Sequence, residues 1–171
     1  LRPIYDRLLQ SIRTEHVLLA DETPLLMQKR KKRGYVWTFR TDRRIAYVFA
    51  EGRSGATPSR VLGGTSGVLL VDGYTGYNAV VSVDGRKRAA CLAHVRRKFF
   101  EALGSAPELA QEALDHILAL YRIEQIARER GLVGTPDHAA LRETFGRPAM
   151  ARLLRFLHLH RDSYPPKSPF G

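Results

Sequence analysis

Cysteine occurs once, at Cys91. That excludes an internal disulfide framework and any cysteine-rich zinc site, which takes two to four cysteines or a matching histidine cluster. A reducing, cytoplasmic compartment suits such a chain. Long apolar runs are also missing. Val17 to Ala20 and Gly67 to Val71 are typical of those present, far short of the roughly 20 residues that cross a bilayer. No membrane span is expected. The chain opens Leu1-Arg2-Pro3 with neither an initiator methionine nor an apolar leader, which reads as an internal cut of a longer protein. Absent too are a Gly-x-Ser-x-Gly elbow, a phosphate loop ending Gly-Lys-Ser/Thr, a His-Glu-x-x-His pair and any internal repeat. Acid is in short supply: 17 Asp and Glu face 28 Lys and Arg, a net charge of +11. Such a surplus sits on the surface and favours polyanionic partners.

What is present is a globular composition, with 44% hydrophobic and 26% charged residues over 171 positions. Composition changes near residue 105, where an α/β part gives way to an all-α one. Ile4, Leu8, Leu9 and Ile12 recur at helical spacing, and Val17 to Ala20 then forms a buried strand stopping at Asp21. Tyr35 to Phe39 and Ile45 to Ala50 are aromatic and β-branched and suit a hairpin lying antiparallel to that first strand. Ser59 to Leu62 after Pro58 reads as a helical turn, Gly67 to Val71 as a buried strand, and Arg88 to Leu92 as a fifth strand. From Ala93 the period is helical, with Val95, Phe99 and Leu103 on one face. Ser105-Ala106-Pro107-Glu108 has the form of a capping box before a helix that runs to Gly131. Thr135-Pro136 starts another helix, Gly146-Arg147-Pro148 interrupts it, and Tyr164 to Pro169 is a proline-rich linker.

Two buried-strand candidates each end on an aspartate, Asp21 and Asp72. Adjacent strands would bring these carboxylates together at the sheet rim. Side by side they repel, and one would be forced to protonate unless a hard divalent cation kept both ionised. Mg²⁺ accepts such a sparse carboxylate site, with waters and substrate phosphate completing its shell. The alternative is that each is a turn residue or helix cap, and Asp72-Gly73 is a common turn dipeptide. Glu22, next to Asp21, points to the opposite face if the strand continues, and is read as a supporting residue. Four basic concentrations, Lys29 to Arg33, Arg40 with Arg43 and Arg44, Arg86 to Arg88, and Arg96 to Lys98, would make a phosphate-binding face if folded to one side. Taken alone, Lys29 to Arg33 also fits a solvated hairpin. Cys91 and His94 have Cys-x-x-His spacing but no second pair. Tyr74, Tyr77 and Asn78 follow Asp72 and suit either DNA contact or packing beneath the first helix. His158 and His160 share no face and receive no role.

In order along the chain, Ala20-Asp21-Glu22-Thr23-Pro24, Val71-Asp72-Gly73-Tyr74-Thr75-Gly76-Tyr77-Asn78, Cys91-Leu92-Ala93-His94-Val95-Arg96-Arg97-Lys98-Phe99-Phe100 and Pro166-Lys167-Ser168-Pro169-Phe170-Gly171 resemble blocks of the bacterial transposases of the insertion sequence 66 family. The resemblance implies a DDE transposase with an RNase H-like mixed sheet, flanking helices and an all-α insertion. Its domains would be a partial catalytic core over 1–104, a helical insertion over 105–162 and a linker over 163–171 toward a C-terminal part. It implies that Asp21 and Asp72 are the first two catalytic acidic residues and bind Mg²⁺ or Mn²⁺. The third, a Glu, would follow residue 171. The mechanism implied is two-metal phosphoryl transfer, strand cleavage and joining at transposon ends, with no covalent enzyme intermediate. DNA is the implied partner, with Arg96, Arg97, Lys98, Lys31, Lys32 and Arg33 as DNA-binding candidates. A homo-oligomer in a transposition complex and a nucleoid-associated, bacterial location are implied as well. Two other readings stand beside it: a non-catalytic basic DNA-binding remnant without a third carboxylate, and an RNase H-like nuclease completed by Glu101. Against the latter, Glu101 is also placed to pair with Arg97 or Lys98 on its own helix.

Overall fold

The structure is a computed structural model and describes residues 1–28, 32–82 and 85–161, the side chain of Lys32 excepted. Its contacts divide the chain into two compact units, Leu1–Cys91 and the chain from Leu92 onward.

The first unit starts with helix α1 (Arg2–Arg13), whose Leu8, Leu9 and Ile12 meet the core at the spacing read from the sequence. Strands β1 (Val17–Met27), β2 (Lys32–Arg40), β3 (Ile45–Ala50), β4 (Gly67–Val71) and β5 (Arg86–Ala90) form one sheet in the order β3-β2-β1-β4-β5. The first three strands are antiparallel to one another, and β4 runs parallel to both β1 and β5. Helix α2 (Ala56–Leu62) precedes β4, and a 3₁₀ segment over Thr75–Val80 follows it. The fold class expected from the sequence, a mixed sheet with flanking helices and a helical C-terminal part, is what the chain adopts.

Register decides what the sheet buries. Leu18 lies opposite Leu69, Ala20 opposite Phe39, Phe39 opposite Ala46, and Trp37 opposite Val48. All seven are buried, with Ile12, Val61, Leu62, Val71 and Tyr77 packed into the same cluster. Because side chains alternate across a strand, Leu19, Asp21 and Thr23 belong to the other face. Strand β1 runs six residues past the predicted stop at Asp21 and carries Pro24 within it. Its pairing with β4 ends at Leu19, so from there on β1 has β2 as its neighbour and an open flank, where proline is tolerated. Gly67 opens β4 with φ of 113°, and a β-carbon there would run into the His16 carbonyl. That close approach lets Val68 N–H donate to His16 O at 2.7 Å, tying β4 to the start of β1.

Arg86 corrects one expectation. The sequence counts it among the surface basic clusters, but it is fully buried. Its Nη2 donates to Arg13 O (2.8 Å) and Glu15 O (3.1 Å), its Nε to Thr65 Oγ1 (2.9 Å) and its Nη1 to Val68 O (3.4 Å). It therefore caps the carbonyl end of α1, where a cation is favoured, and joins that end to the start of β4. Burial alone pulls its pKa below the ordinary value.

The second unit contains α3 (Leu92–Ala102), α4 (Pro107–Glu129), α5 (Pro136–Leu141) and α6 (Arg147–His160). Phe99, Ala113, Ile117, Leu153 and Phe156 form its core. The strand expected over Arg88 to Leu92 ends at Ala90, because the helical pattern already begins at Leu92. The expected capping box is also corrected. The N-cap of α4 is Ala106, which has no side-chain acceptor, and Ser105 Oγ donates backward to Ala102 O at 3.2 Å. Thr135 does cap α5, accepting from His138 N. The break expected at Gly146 is a π-helical turn over Arg142–Gly146 leading straight into α6. Glu124 on α4 accepts both Arg142 Nε and Nη2 at 2.7 Å and faces His138 Nε2 at 3.2 Å. These partners, Arg142 first, hold its carboxyl below the usual range against the opposing effect of burial.

Replacing Arg86 with leucine strands the carbonyls of Arg13 and Glu15. Urea unfolding should show a stability loss of about 2 kcal/mol. An unchanged midpoint and slope would contradict the capping role.

Candidate functional site

The β1–β4 ladder pairs Val17 with Val68, Leu18 with Leu69 and Leu19 with Leu70. The constant offset of 51 residues in those pairs also separates Asp21 from Asp72. Each aspartate thus lies two residues past the last ladder pair, at the point where the two parallel strands part. Asp21 is exposed and Asp72 half-buried. Asp21 Oδ1 accepts Glu22 N at 3.0 Å, and Asp72 Oδ1 accepts Tyr74 N at 2.9 Å. The second bond is the turn contact foreseen for Asp72, and it fixes that carboxylate's direction. Both charges reach the Tyr77 hydroxyl and add to the upward push on its pKa.

Beneath them lies a buried polar group. Glu22 stands opposite Trp37 in the core-facing row of the sheet, and its side chain is 1% exposed. An unpaired carboxylate there would cost several kcal/mol. Arg53, in the loop after β3, donates to Glu22 Oε1 from Nε (2.8 Å) and Nη2 (2.5 Å), while Tyr77 O–H donates to Oε2 (2.5 Å). Burial first, then the bond to Glu22 and its charge, drive the Tyr77 phenol far above its ordinary value of 10.0. For Arg53 partial burial opposes the charge, but the bond to Glu22, with Glu22, Tyr74 and Asp72 charges adding to it, raises the guanidinium above its normal value. Trp37, Tyr74 and Tyr77 surround this pair with ring centroids 5.7 to 6.4 Å apart.

The two aspartates offer hard oxygen donors, the chemistry that suits Mg²⁺ or Mn²⁺ with waters and phosphate oxygens as the other ligands. Among the described residues no group of three or more His, Cys, Asp or Glu is assembled to hold a metal. Glu101 takes Lys98 Nζ at 2.9 Å on its own exposed helix face, the pairing that the sequence allows. That bond first, then the charges of Lys98 and Arg97, hold its carboxyl below the ordinary range.

The basic candidates fall in different places. Arg33 is exposed on β2 opposite Leu26. Lys31 and the Lys32 side chain lie outside the described residues, as does most of the Lys29 to Arg33 run. Arg96, Arg97 and Lys98 are exposed on α3, in the second unit. Arg44 pairs with Glu15 at 2.8 Å, and Arg88 is half-buried with Nη2 on Tyr74 O at 2.6 Å. The linker expected over 163–171, with its Pro166 to Gly171 block, also lies outside the described residues. Cys91 is a half-buried free thiol with its N–H on Val71 O. Sequence reasoning placed Glu22 on the face away from Asp21, as observed. It missed Arg53, whose loop carries no motif; the usable signal was that a Glu in a core-facing strand position requires a cation from elsewhere.

The model of the transposase IS66 family matches residues 1–171. The chain belongs to this family. Relatives of the chain include two uncharacterized proteins of Sinorhizobium fredii (strain NBRC 101917 / NGR234). One, y4jD, is 34% identical over 95% of the chain and 35% of its own length; the other, y4qI, is 31% identical over 75% of the chain and 28% of its own length. The IS66-family chain thus spans about a third of these relatives. No solved structure matches it, and no helix among its described residues is long and apolar enough to cross a membrane.

Tyr77→Phe removes one acceptor contact of a buried carboxylate and should cost about 1–2 kcal/mol in urea unfolding. Between pH 9 and about 11 the unfolded chain releases a phenolic proton that folded Tyr77 keeps, so wild-type stability falls as pH rises past 10. The variant should lose less over that interval; an identical pH slope would contradict the assignment.

Proposed function

We propose that this chain is catalytic-core material of a DDE transposase, in which Asp21 and Asp72 bind Mg²⁺ or Mn²⁺ and serve phosphoryl transfer on DNA. The observation that carries this is the register offset that brings both aspartates to the parting of β1 and β4, just past the carboxyl end of their parallel ladder, where sites in α/β sheets form. The strand order, three antiparallel strands followed by two parallel ones, supports the RNase H-like reading.

In this chemistry a water or a DNA 3′-hydroxyl attacks a backbone phosphorus in line. One P–O bond forms, the opposite one breaks, and the departing oxygen leaves with the electron pair. When bound, the divalent cation supplies the charge that activates the attacking oxygen and steadies the leaving one. The chain's own part is orientation. The Tyr74 amide holds Asp72, and the Glu22–Arg53–Tyr77 group fixes the β1 strand beneath Asp21 to the loop after β3 and to the Thr75–Val80 segment. The surplus of cations, the exposed Arg33, Arg96, Arg97 and Lys98 together with Lys31 and Lys32, supplies contacts to phosphates without base specificity.

A second reading, a DNA-binding chain that does not cut, is favoured by one observation: among the described residues no third carboxylate joins the two aspartates.

In a transposition assay with the gene that encodes this chain, Asp21→Asn or Asp72→Asn should each lower the frequency at least ~10²-fold, by loss of charge stabilisation that positions the reacting oxygens. Wild-type frequency in either variant would overturn the catalytic assignment. DNA binding with no transposition in the wild type would favour the second reading.

A further inference from the structure

Arg53 is held more firmly than an ion pair requires. Glu22 grips one edge of its guanidinium through Nε and Nη2. The Tyr74 ring lies beneath it, 3.9 Å from centroid to the guanidinium carbon, and the Tyr74 hydroxyl donates to the Arg53 carbonyl at 2.9 Å. Tyr74 is positioned in turn by its amide bond to Asp72, by Arg88 on its carbonyl and by Gly76, where a β-carbon would run into the ring. The two partners differ sharply in exposure: the Glu22 side chain is 1% exposed and that of Arg53 41%. Among the described residues no hydrogen bond engages Arg53 Nη1. The result is a rigid cation with one edge anchored in the core, one face stacked and one donor edge toward solvent, within electrostatic reach of Asp72.

We propose that Arg53 binds a phosphate of the DNA strand that enters the Asp21–Asp72 site, through the guanidinium edge that Glu22 leaves unused. Guanidinium presents its donors in a fixed plane that matches phosphate oxygens, and anchoring removes most of the rotamer entropy that a surface arginine loses on binding. A carboxylate pair repels an approaching phosphate backbone, so a fixed cation beside it is needed even before metal is considered. Glu22 is then the positioning residue for Arg53, which explains a buried acid in a row otherwise apolar. The assignment rests on the reading of Asp21 and Asp72 as a DNA-processing site.

The test is fluorescence anisotropy of a labelled mixed-sequence duplex titrated with the purified chain in EDTA, over a range of salt. Arg53→Gln should weaken binding about fivefold near 0.1 M salt and reduce the slope of log affinity against log salt by about 1. Arg147→Gln, at the start of α6, removes the same charge from an exposed pair with Glu143 and should change affinity less than about twofold. Arg53→Lys keeps a cation for Glu22 and so guards against misfolding, checked by circular dichroism. One ammonium cannot hold both the carboxylate and a phosphate in planar register, so R53K should still lose about threefold; if R53Q fails to fold, R53K decides alone. Wild-type binding with losses in the Arg53 variants no larger than in R147Q overturns the Arg53 assignment alone. A wild-type chain with no affinity for the duplex overturns the DNA reading and this assignment together.

Discussion

The parallel ladder between β1 and β4 is the constraint from which the candidate site follows. Three pairs, Val17 with Val68 through Leu19 with Leu70, set a register that carries Asp21 and Asp72 to equivalent positions where the strands part. A slip of β1 by one residue would turn Leu18 out of the core and Asp21 into it, so burial of Leu18 beside Leu69, both fully enclosed, protects the alignment of the aspartates. The cost of misregister is the exposure of a core leucine, roughly 2 kcal/mol, together with a buried unpaired carboxylate. Arg86 and Gly67 secure the same junction from its other end, one by capping α1 against the start of β4 and the other by admitting the close contact with His16.

On the opposite face of β1 the same alternation forces Glu22 into the apolar row. Its burial is tolerable because Arg53 and Tyr77 satisfy both oxygens. That requirement fastens together three segments distant in sequence, residues 22, 53 and 77, directly below the two aspartates. Packing and electrostatics serve one end here: a group that stabilises the first unit also fixes the loops that border the candidate site.

Much of this was legible from the sequence. The hairpin of β2 and β3 followed from two aromatic, β-branched runs; β4 followed from a continuous apolar run ended by Asp72-Gly73, and the opposite orientations of Asp21 and Glu22 from strand alternation. The family resemblance rested on four ordered blocks, those around Asp21 and Asp72 with Cys91 to Phe100 and Pro166 to Gly171, and membership follows from the family match over the whole chain. Other features depended on tertiary context. The end of the apolar run made β1 look finished at Asp21, although an open flank permits the strand to continue to Met27. Arg86 read as surface charge because nothing local reveals that α1 ends with carbonyls needing a donor. Ser105 resembled a cap, but the residue at the cap position is Ala106. Arg53 carried no pattern at all; its role exists only because the fold brings residue 22 beneath it.

Asp21 and Asp72 are proposed to act on one bound cation. A double-mutant cycle on Mn²⁺ affinity, measured by electron paramagnetic resonance titration of the wild type, Asp21→Asn, Asp72→Asn and the double variant, tests it directly. Sharing predicts strong non-additivity: each single variant weakens binding at least about tenfold, or 1.4 kcal/mol, and the double variant adds little more. Single losses that simply sum, or Mn²⁺ binding left unchanged in either single variant, would contradict it.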